Sequence, residues 1–114
     1  MSDYYRTEDL DHFADIGEAS PELWQLFTAW YGKAFAAGAL TQREKALIAL
    51  AVAHALQCPY CIDAYTQQSL AHGADLPQMT EAIHVAAAIR GGATLAHGVQ
   101  MRNCVSTLLP VEDA

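Results

Sequence analysis

An apolar run fills positions 46–56, and a helix-capping sequence stands just before it. Thr41 and Glu44 have the spacing of a capping box, in which threonine caps a helix and glutamate occupies its third position. Only His54 interrupts the apolar run. The pattern predicts a helix over 41–57 that is buried on all sides. Because the run is well short of the ~20 residues that a membrane span requires, we expect a helix of a soluble protein.

Helix start and stop residues recur along the chain, whereas no stretch alternates like a strand between hairpin turns. The sequence therefore predicts an all-α fold of five to six helices in one compact domain over 1–114. Residues 1–19 are expected to form an N-terminal helical segment, which is the candidate for a mobile part. The predicted helices cover 7–17, 21–37, 41–57, 59–72, 76–89 and 93–108. Gly91-Gly92 separates the last two, and Pro110 follows the final helix.

Composition narrows the class of protein. With 114 residues, 53% of them hydrophobic, the chain is expected to bury roughly two-thirds of its unfolded surface. Its net charge is −7, and its six Lys and Arg residues are scattered, so we expect neither nucleic acid nor a membrane as partner. Residues 1–8 lack the features of a signal peptide, and three cysteines are too few for a secreted disulfide framework. The expected location is the cytoplasm.

The sequence Cys-Pro-Tyr-Cys at 58–61 places two thiols three residues apart at a predicted helix start. Cys58 is expected to cap this helix, with proline at its first position. A helix N-terminus favours the thiolate, which is the nucleophilic form of cysteine, and two thiols at this spacing can close a disulfide. Redox chemistry is the favoured interpretation. Half of a zinc site and inert packing remain alternatives.

Two residues near the thiols are candidates to assist them. His54 lies four positions before Cys58 and could serve as a base, or it could be a core histidine bonded to the backbone. Tyr65 lies four positions after Cys61 on the same helix face, where its phenol could bond a thiolate or simply pack. Glu44 could accept a proton, but the capping box already explains its position.

No cofactor or metal is predicted. Zinc requires four nitrogen or sulfur ligands, and His54, Cys58 and Cys61 provide at most three close in sequence. Cys104 has no cysteine or histidine beside it, so we expect a small buried apolar residue there.

The apolar helix and the dithiol together resemble a known family. Residues 41–73, with Leu-Ile-Ala-Leu-Ala-Val-Ala at 47–53 leading into Cys-Pro-Tyr-Cys-Ile-Asp-Ala at 58–64, are similar to the AhpD-like, carboxymuconolactone decarboxylase family. The resemblance implies an all-helical domain, a trimer or hexamer, and reduction of alkyl hydroperoxides. It implies that Cys61 attacks peroxide and forms a sulfenic acid, and that Cys58 resolves this acid to a disulfide.

The chain departs from the family pattern at two positions. The dithiol branch has a proton relay with a glutamate twelve residues before the first cysteine and a histidine four after the second. This chain has Ala46 and Tyr65 there. Glu44 lies about 200° around the helix from the glutamate position. We therefore expect His54 and Tyr65 to replace the relay. The motif with Tyr65 also looks like a peroxidase-like branch associated with arsenosugar biosynthesis.

Two hypotheses from different classes follow. The first is a thiol-dependent alkyl hydroperoxidase or disulfide reductase that takes a peroxide or other small oxidant and is restored by a dithiol reductant. The second is a non-catalytic oligomeric module whose dithiol senses redox state or binds a soft metal or arsenite. A decarboxylase is disfavoured, because decarboxylase members of the family lack the dithiol.

A homo-oligomer is expected, both from the resemblance and from the aromatic residues of the second predicted helix. They are Trp24, Phe27, Trp30 and Phe35, and they give that helix a wider apolar surface than one buried stripe requires.

Overall fold

The computed structural model describes residues 5–109, and every regular element in that range is a helix. A 3₁₀ helix, Thr7–Gly17, is followed by α1 (Pro21–Phe35), α2 (Gln42–Leu56), α3 (Pro59–Ala71) and α4 (Leu76–Leu108). The predicted all-α class is confirmed. Residues 1–4, part of the predicted N-terminal segment, and Pro110, predicted to follow the last helix, lie outside the described range. Within 5–109, no helix combines the length and apolarity needed to cross a bilayer.

The predicted capping box opens α2. Thr41 Oγ1 accepts a hydrogen bond from the Glu44 N–H at 3.0 Å, and the Glu44 carboxylate accepts one from the Thr41 N–H at 2.8 Å. The helix ends at Gln57, which adopts the left-handed conformation with φ 57° and ψ 48°. A non-glycine residue rarely adopts this conformation, and here it turns the chain directly into the start of α3.

The last helix corrects a prediction. Gly91 and Gly92 were expected to separate two helices, yet α4 runs continuously through both for 33 residues, which is about 50 Å. Each interior glycine costs a helix only about 1 kcal/mol relative to alanine, and neither adopts a positive φ. Tertiary contact supports the helix at this point, because the Arg90 guanidinium donates to the carbonyl of Ala55 on α2.

The core is small and lies where α2 packs against α3 and α4. Leu50, Ala74 and Met79 form its buried cluster. The opposite side of α2 is open, with Ile48 51% exposed and Val52 49% exposed. The expectation of a helix buried on all sides is therefore wrong for the single chain. Packing against α3 and α4 covers only part of the apolar surface of α2.

The single chain is also far from compact. Its radius of gyration is 20.3 Å and its longest dimension is 63 Å, whereas a compact chain of this length has a radius of gyration of about 13 Å. The long α4 accounts for this shape, because its second half has no buried residue. The predicted compact unit is therefore not formed by one chain alone.

The 3₁₀ helix packs on α1 and α3. Eleven residues is long for a 3₁₀ helix, because its hydrogen-bond geometry is poorer than that of an α-helix. Side chains hold it in place: the Phe13 ring lies edge-on to Trp24, with ring centroids 5.1 Å apart, and the Tyr60 hydroxyl donates to Asp9 at 3.2 Å. Gly17 ends the helix beneath the Trp24 side chain and is buried.

We expect Gly17→Ala to loosen the 3₁₀ helix from α1. An added Cβ would lie 2.7 Å from Trp24 Cδ1 and 2.8 Å from Trp24 Cβ, so the indole must move. Overpacking of this kind typically costs about 1–3 kcal/mol. Thermal unfolding and the tryptophan emission spectrum would measure the change. Gly32→Ala, on α1 with nothing within 4 Å of its Cβ, is the matched control and should not lower stability. Equal effects of the two substitutions would contradict this packing.

Candidate active site

The two cysteines of the motif lie at the start of α3, as the sequence predicts. Cys58 is the N-cap, and its Sγ accepts a hydrogen bond from the backbone N–H of Cys61 at 3.3 Å. Pro59 occupies the first turn, where its missing N–H costs no hydrogen bond. Both thiols are free and half-buried. The geometry thus places two reduced sulfurs side by side at a helix terminus.

The environment of Cys61 corrects the expectation of an activated thiol. Burial, followed by the hydrogen bond and the charge of Cys58, raises the pKa of the Cys61 thiol to about 11. The backbone hydrogen bond of Cys61 lowers this pKa, but its effect is smaller than the effects that raise it. At neutral pH the Cys61 thiol of the isolated chain is therefore almost entirely protonated. Attack by Cys61 therefore requires a group that removes its proton.

A cavity of about 570 Å³ lies beside the thiols, between the 3₁₀ helix, α1 and α3. Its wall is mostly apolar, and both cysteines line it. We call it the thiol cavity. The lining residues are Asp9, Leu10, His12, Phe13, Asp15, Ile16, Tyr31, Cys58, Tyr60, Cys61, Ala64 and Tyr65. An apolar recess of this size next to a reactive group is typical of a small-molecule site.

Tyr31 is a site residue that sequence reasoning missed. It lies on α1 beside the aromatic residues named above, and it lines the thiol cavity. Burial, and then the negative charge of Cys61, raises the pKa of its phenol. A phenol that stays protonated near a sulfur can donate a hydrogen bond or a proton. Nothing in the spacing around position 31 distinguishes it from its aromatic neighbours, because only the tertiary packing of α1 brings it to Cys61.

Tyr65 also lines the thiol cavity. Its ring stacks on Phe35 of α1, with centroids 5.3 Å apart and planes 7° from parallel. Phe35 in turn contacts Tyr31 at 4.8 Å between centroids. Three rings therefore form a continuous aromatic wall, and packing holds both tyrosines in position.

His54 lies outside the lining of the thiol cavity. Its Nδ1 is 2.9 Å from the carbonyl oxygen of Leu50, so in the neutral ring Nδ1 carries the proton and Nε2 remains an acceptor. In the described part of the chain, no hydrogen bond joins His54 to either thiol. Its role as a base stays a prediction. Glu44 is engaged in the capping box, where the Thr41 N–H lowers the pKa of its carboxyl.

A second cavity of about 340 Å³ shares Tyr31, Ala64 and Tyr65 with the thiol cavity. We call it the rear cavity. Ala46 and Tyr65, at the two relay positions of the resemblance, both line it, together with Gln42, Gln68 and His72. Alanine at position 46 leaves space where the longer glutamate side chain would extend. The two positions are therefore brought together by the fold, but without the carboxylate and imidazole.

Cys104 corrects another expectation, because it is exposed rather than buried in the single chain. It lies in the second half of α4, far along the chain from the dithiol. Among residues 5–109, no group of three or more His, Cys, Asp and Glu side chains is arranged to hold a metal ion.

Comparison with known proteins identifies the family. The family model described as "Carboxymuconolactone decarboxylase family" matches residues 21–101, which include α1, α2, α3 and most of α4. The chain belongs to this family, as the resemblance implied. It is also 45% identical over 87 residues to "Uncharacterized protein 4 in cox locus" of Paracoccus denitrificans, covering 74% of this chain and 78% of that protein.

We expect alkylation of Cys61 by iodoacetamide to rise about tenfold per pH unit between pH 7 and 9.5, without a plateau. The reason is that the pKa of its thiol, at about 11, lies above this range, so the thiolate fraction keeps growing. Mass spectrometry of the reduced protein would follow each cysteine separately. Cys58→Ser should increase the Cys61 rate at each pH, because it removes a group that raises the Cys61 pKa. A plateau below pH 8 would contradict the buried, protonated thiol.

Proposed function

We propose that this protein is a thiol-dependent alkyl hydroperoxidase, with Cys61 as the attacking thiol and Cys58 as the resolving thiol. The observation that carries the proposal is the thiol cavity, in which a paired dithiol lies beside three phenols, those of Tyr31, Tyr60 and Tyr65, in an apolar recess. Membership of a family that includes enzymes supports it. Disulfide reduction by the same thiol pair belongs to this proposal.

In the first step the Cys61 thiolate attacks the terminal oxygen of a hydroperoxide ROOH. A sulfur–oxygen bond forms and the oxygen–oxygen bond breaks, so that Cys61 becomes a sulfenic acid and the peroxide leaves as an alkoxide. The alkoxide takes a proton and departs as ROH. Tyr31 and Tyr65 are the proton donors we assign, because their phenols line the same cavity as the sulfur.

In the second step the Cys58 thiol attacks the Cys61 sulfenic acid. The disulfide forms and water leaves, so the two cysteine thiols together have lost two electrons to the peroxide. Their adjacent positions at the start of α3 support this step. A dithiol reductant then exchanges with the disulfide and restores both thiols.

The attacking thiol needs a proton acceptor, because burial keeps it protonated. His54 is the base we propose, through the Nε2 atom that its bond to Leu50 leaves available. In this proposal His54 and Tyr65 together replace the glutamate and histidine of the family relay. For the alternative of a metal-binding module, the dithiol has no third His, Cys, Asp or Glu grouped with it among residues 5–109 that could complete a site.

We expect the reduced protein to consume cumene hydroperoxide with dithiothreitol as reductant. Cys61→Ser should bring the rate to background, because it removes the nucleophile. Cys58→Ser should leave a sulfenic acid on Cys61, which dimedone would trap and mass spectrometry would locate. Cys104→Ser, which removes the exposed third thiol, is the matched control and should leave the rate unchanged.

The proposal fails if the wild-type rate equals background. It also fails if Cys61→Ser consumes peroxide as fast as the wild type.

We further propose that the working form is a homo-oligomer. The chain exposes 8958 Å², whereas a compact protein of this mass exposes about 6,100 Å². The excess is well above the roughly 800 Å² that each partner buries in a standard interface. Of the aromatic residues expected at an interface, Trp24 and Phe27 contact Phe13, and Phe35 contacts Tyr65. Trp30 is 70% exposed, and the apolar residues Leu95 and Val99 of α4 are 80% and 59% exposed.

We expect light scattering after size-exclusion chromatography to give an integral multiple of the 12.3 kDa chain mass, with a trimer or hexamer as the proposed order. The double variant Leu95→Lys/Val99→Lys should dissociate it, because both side chains are exposed, apolar and one turn apart on α4. Gln100→Lys adds charge at an exposed polar position of the same helix and is the control. A monomeric wild-type protein would contradict the proposed assembly.

A further inference from the structure

We infer that the thiol cavity admits uncharged, apolar hydroperoxides and discriminates against carboxylate-bearing ones, and that Asp9 and Asp15 set this preference. The inference rests on the proposed peroxidase function and adds the charge class of its substrate. It concerns a part of the cavity wall that the proposed chemistry does not use, the 3₁₀ helix over the thiols.

The 3₁₀ helix supplies both carboxylates of the cavity wall. Asp9 and Asp15 line the cavity from one side, and the thiols and phenols line it from α1 and α3. No Lys or Arg is among the lining residues. Besides the two carboxylates, the 3₁₀ helix contributes His12 and the apolar Leu10, Phe13 and Ile16 to the wall. A bound carboxylate would therefore lose hydration with no Lys or Arg to pair with, while His12 already faces Asp15.

Contacts on both sides fix the position of the 3₁₀ helix that carries these carboxylates. Asp9 Oδ2 accepts a hydrogen bond from the Tyr60 hydroxyl at 3.2 Å, and Tyr60 is adjacent to Cys61 in α3. The Phe13 ring contacts Trp24 and Phe27 of α1, with centroids 5.1 and 6.3 Å apart. The 3₁₀ helix is thus attached to both helices that form the other side of the cavity.

Nearby positive groups offset the negative charge of Asp9 and Asp15 only in part. The Arg6 Nε lies 3.8 Å from Asp9 Oδ2, but the Arg6 side chain is 61% exposed and does not line the cavity. His12 Nδ1 lies 3.4 Å from Asp15 Oδ2, and imidazole is charged only when protonated. When Cys61 ionises to react, its thiolate adds a further negative charge on the opposite wall. An anionic substrate then meets repulsion from two sides.

A matched pair of thiol reagents tests the charge preference independently of peroxidase activity. Iodoacetamide is uncharged and iodoacetate is anionic, and both alkylate the thiolate, so the ionised fraction cancels from the ratio of their rates. We expect this ratio at Cys61 to be about fivefold higher in the native protein than in the urea-unfolded chain at pH 8. The difference between the native and unfolded ratios should become smaller as NaCl is raised from about 0.05 to 0.5 M, because salt screens the carboxylates.

Replacing Asp9 and Asp15 by neutral asparagine tests whether these two residues cause the charge preference. Asp9→Asn/Asp15→Asn should lower the native ratio by about two- to fivefold, while asparagine at position 9 keeps an oxygen for the Tyr60 hydroxyl. Asp11→Asn is the matched control: it lies on the same 3₁₀ helix, is exposed, and does not line the cavity. A native ratio equal to the unfolded one overturns the inference, as does an Asp11→Asn effect as large as that of the double variant.

The same variants are then compared with cumene hydroperoxide and its para-carboxylate as substrates. We expect the uncharged peroxide to be consumed faster by the wild type, and the difference to narrow in Asp9→Asn/Asp15→Asn. Equal rates for both peroxides overturn the inference while leaving the proposed function intact. If neither peroxide is consumed above the Cys61→Ser background, the proposed function fails, and the reagent ratio still decides the charge preference of the cavity.

Discussion

The connection between α2 and α3 is the constraint on which the site depends. Gln57 takes a left-handed conformation, the Cys58 N–H donates to the carbonyl of Ala53 at 3.1 Å, and the Cys58 sulfur caps the next helix. Two helices are thereby joined with no intervening loop, and the dithiol is held at their junction. Because α2 carries the buried Leu50, the position of the sulfurs is tied to the core of the protein. A longer or looser connection would leave the thiols on a mobile surface.

This placement has opposing electrostatic consequences for Cys61. The helix terminus favours a thiolate by typically about 0.3–1 kcal/mol, whereas removing the sulfur from water disfavours it. Burial prevails, and the pKa of the thiol rises to about 11. The same apolar wall would favour contact with an apolar oxidant under the proposed function. Burial of the sulfur therefore lowers its reactivity while it favours access of such a substrate, and the proposed mechanism needs a proton acceptor to overcome the raised pKa.

Local sequence patterns were enough to place most helix starts. The pairs Thr41/Glu44 and Cys58/Pro59 lie at the starts they predicted, because capping depends on residues within one turn. Predictions that depended on distant contacts did less well. The glycine pair at 91–92 does not end α4, since helix continuity there is supported by the contact of Arg90 with α2. The burial predicted for Cys104 was wrong for the same reason, because burial depends on what packs against a helix.

The candidate site also combines residues that local sequence predicted with residues that only tertiary packing reveals. The positions of Cys58 and Cys61 followed from their motif, but Tyr31 comes from a helix that is remote in sequence, and only packing brings it to the sulfur. The relay positions 46 and 65 were recognised from the resemblance, and the fold does bring them together in the rear cavity. No sequence pattern indicated that cavity, since a missing side chain becomes a space only when its neighbours are known.

Tyr65 lines both cavities, and so do Tyr31 and Ala64. The thiol cavity and the rear cavity have volumes of about 570 and 340 Å³. A substitution at position 65 therefore changes the surface beside the cysteines and the surface beside Gln68 and His72 at the same time. The two cavities cannot be altered independently through this residue.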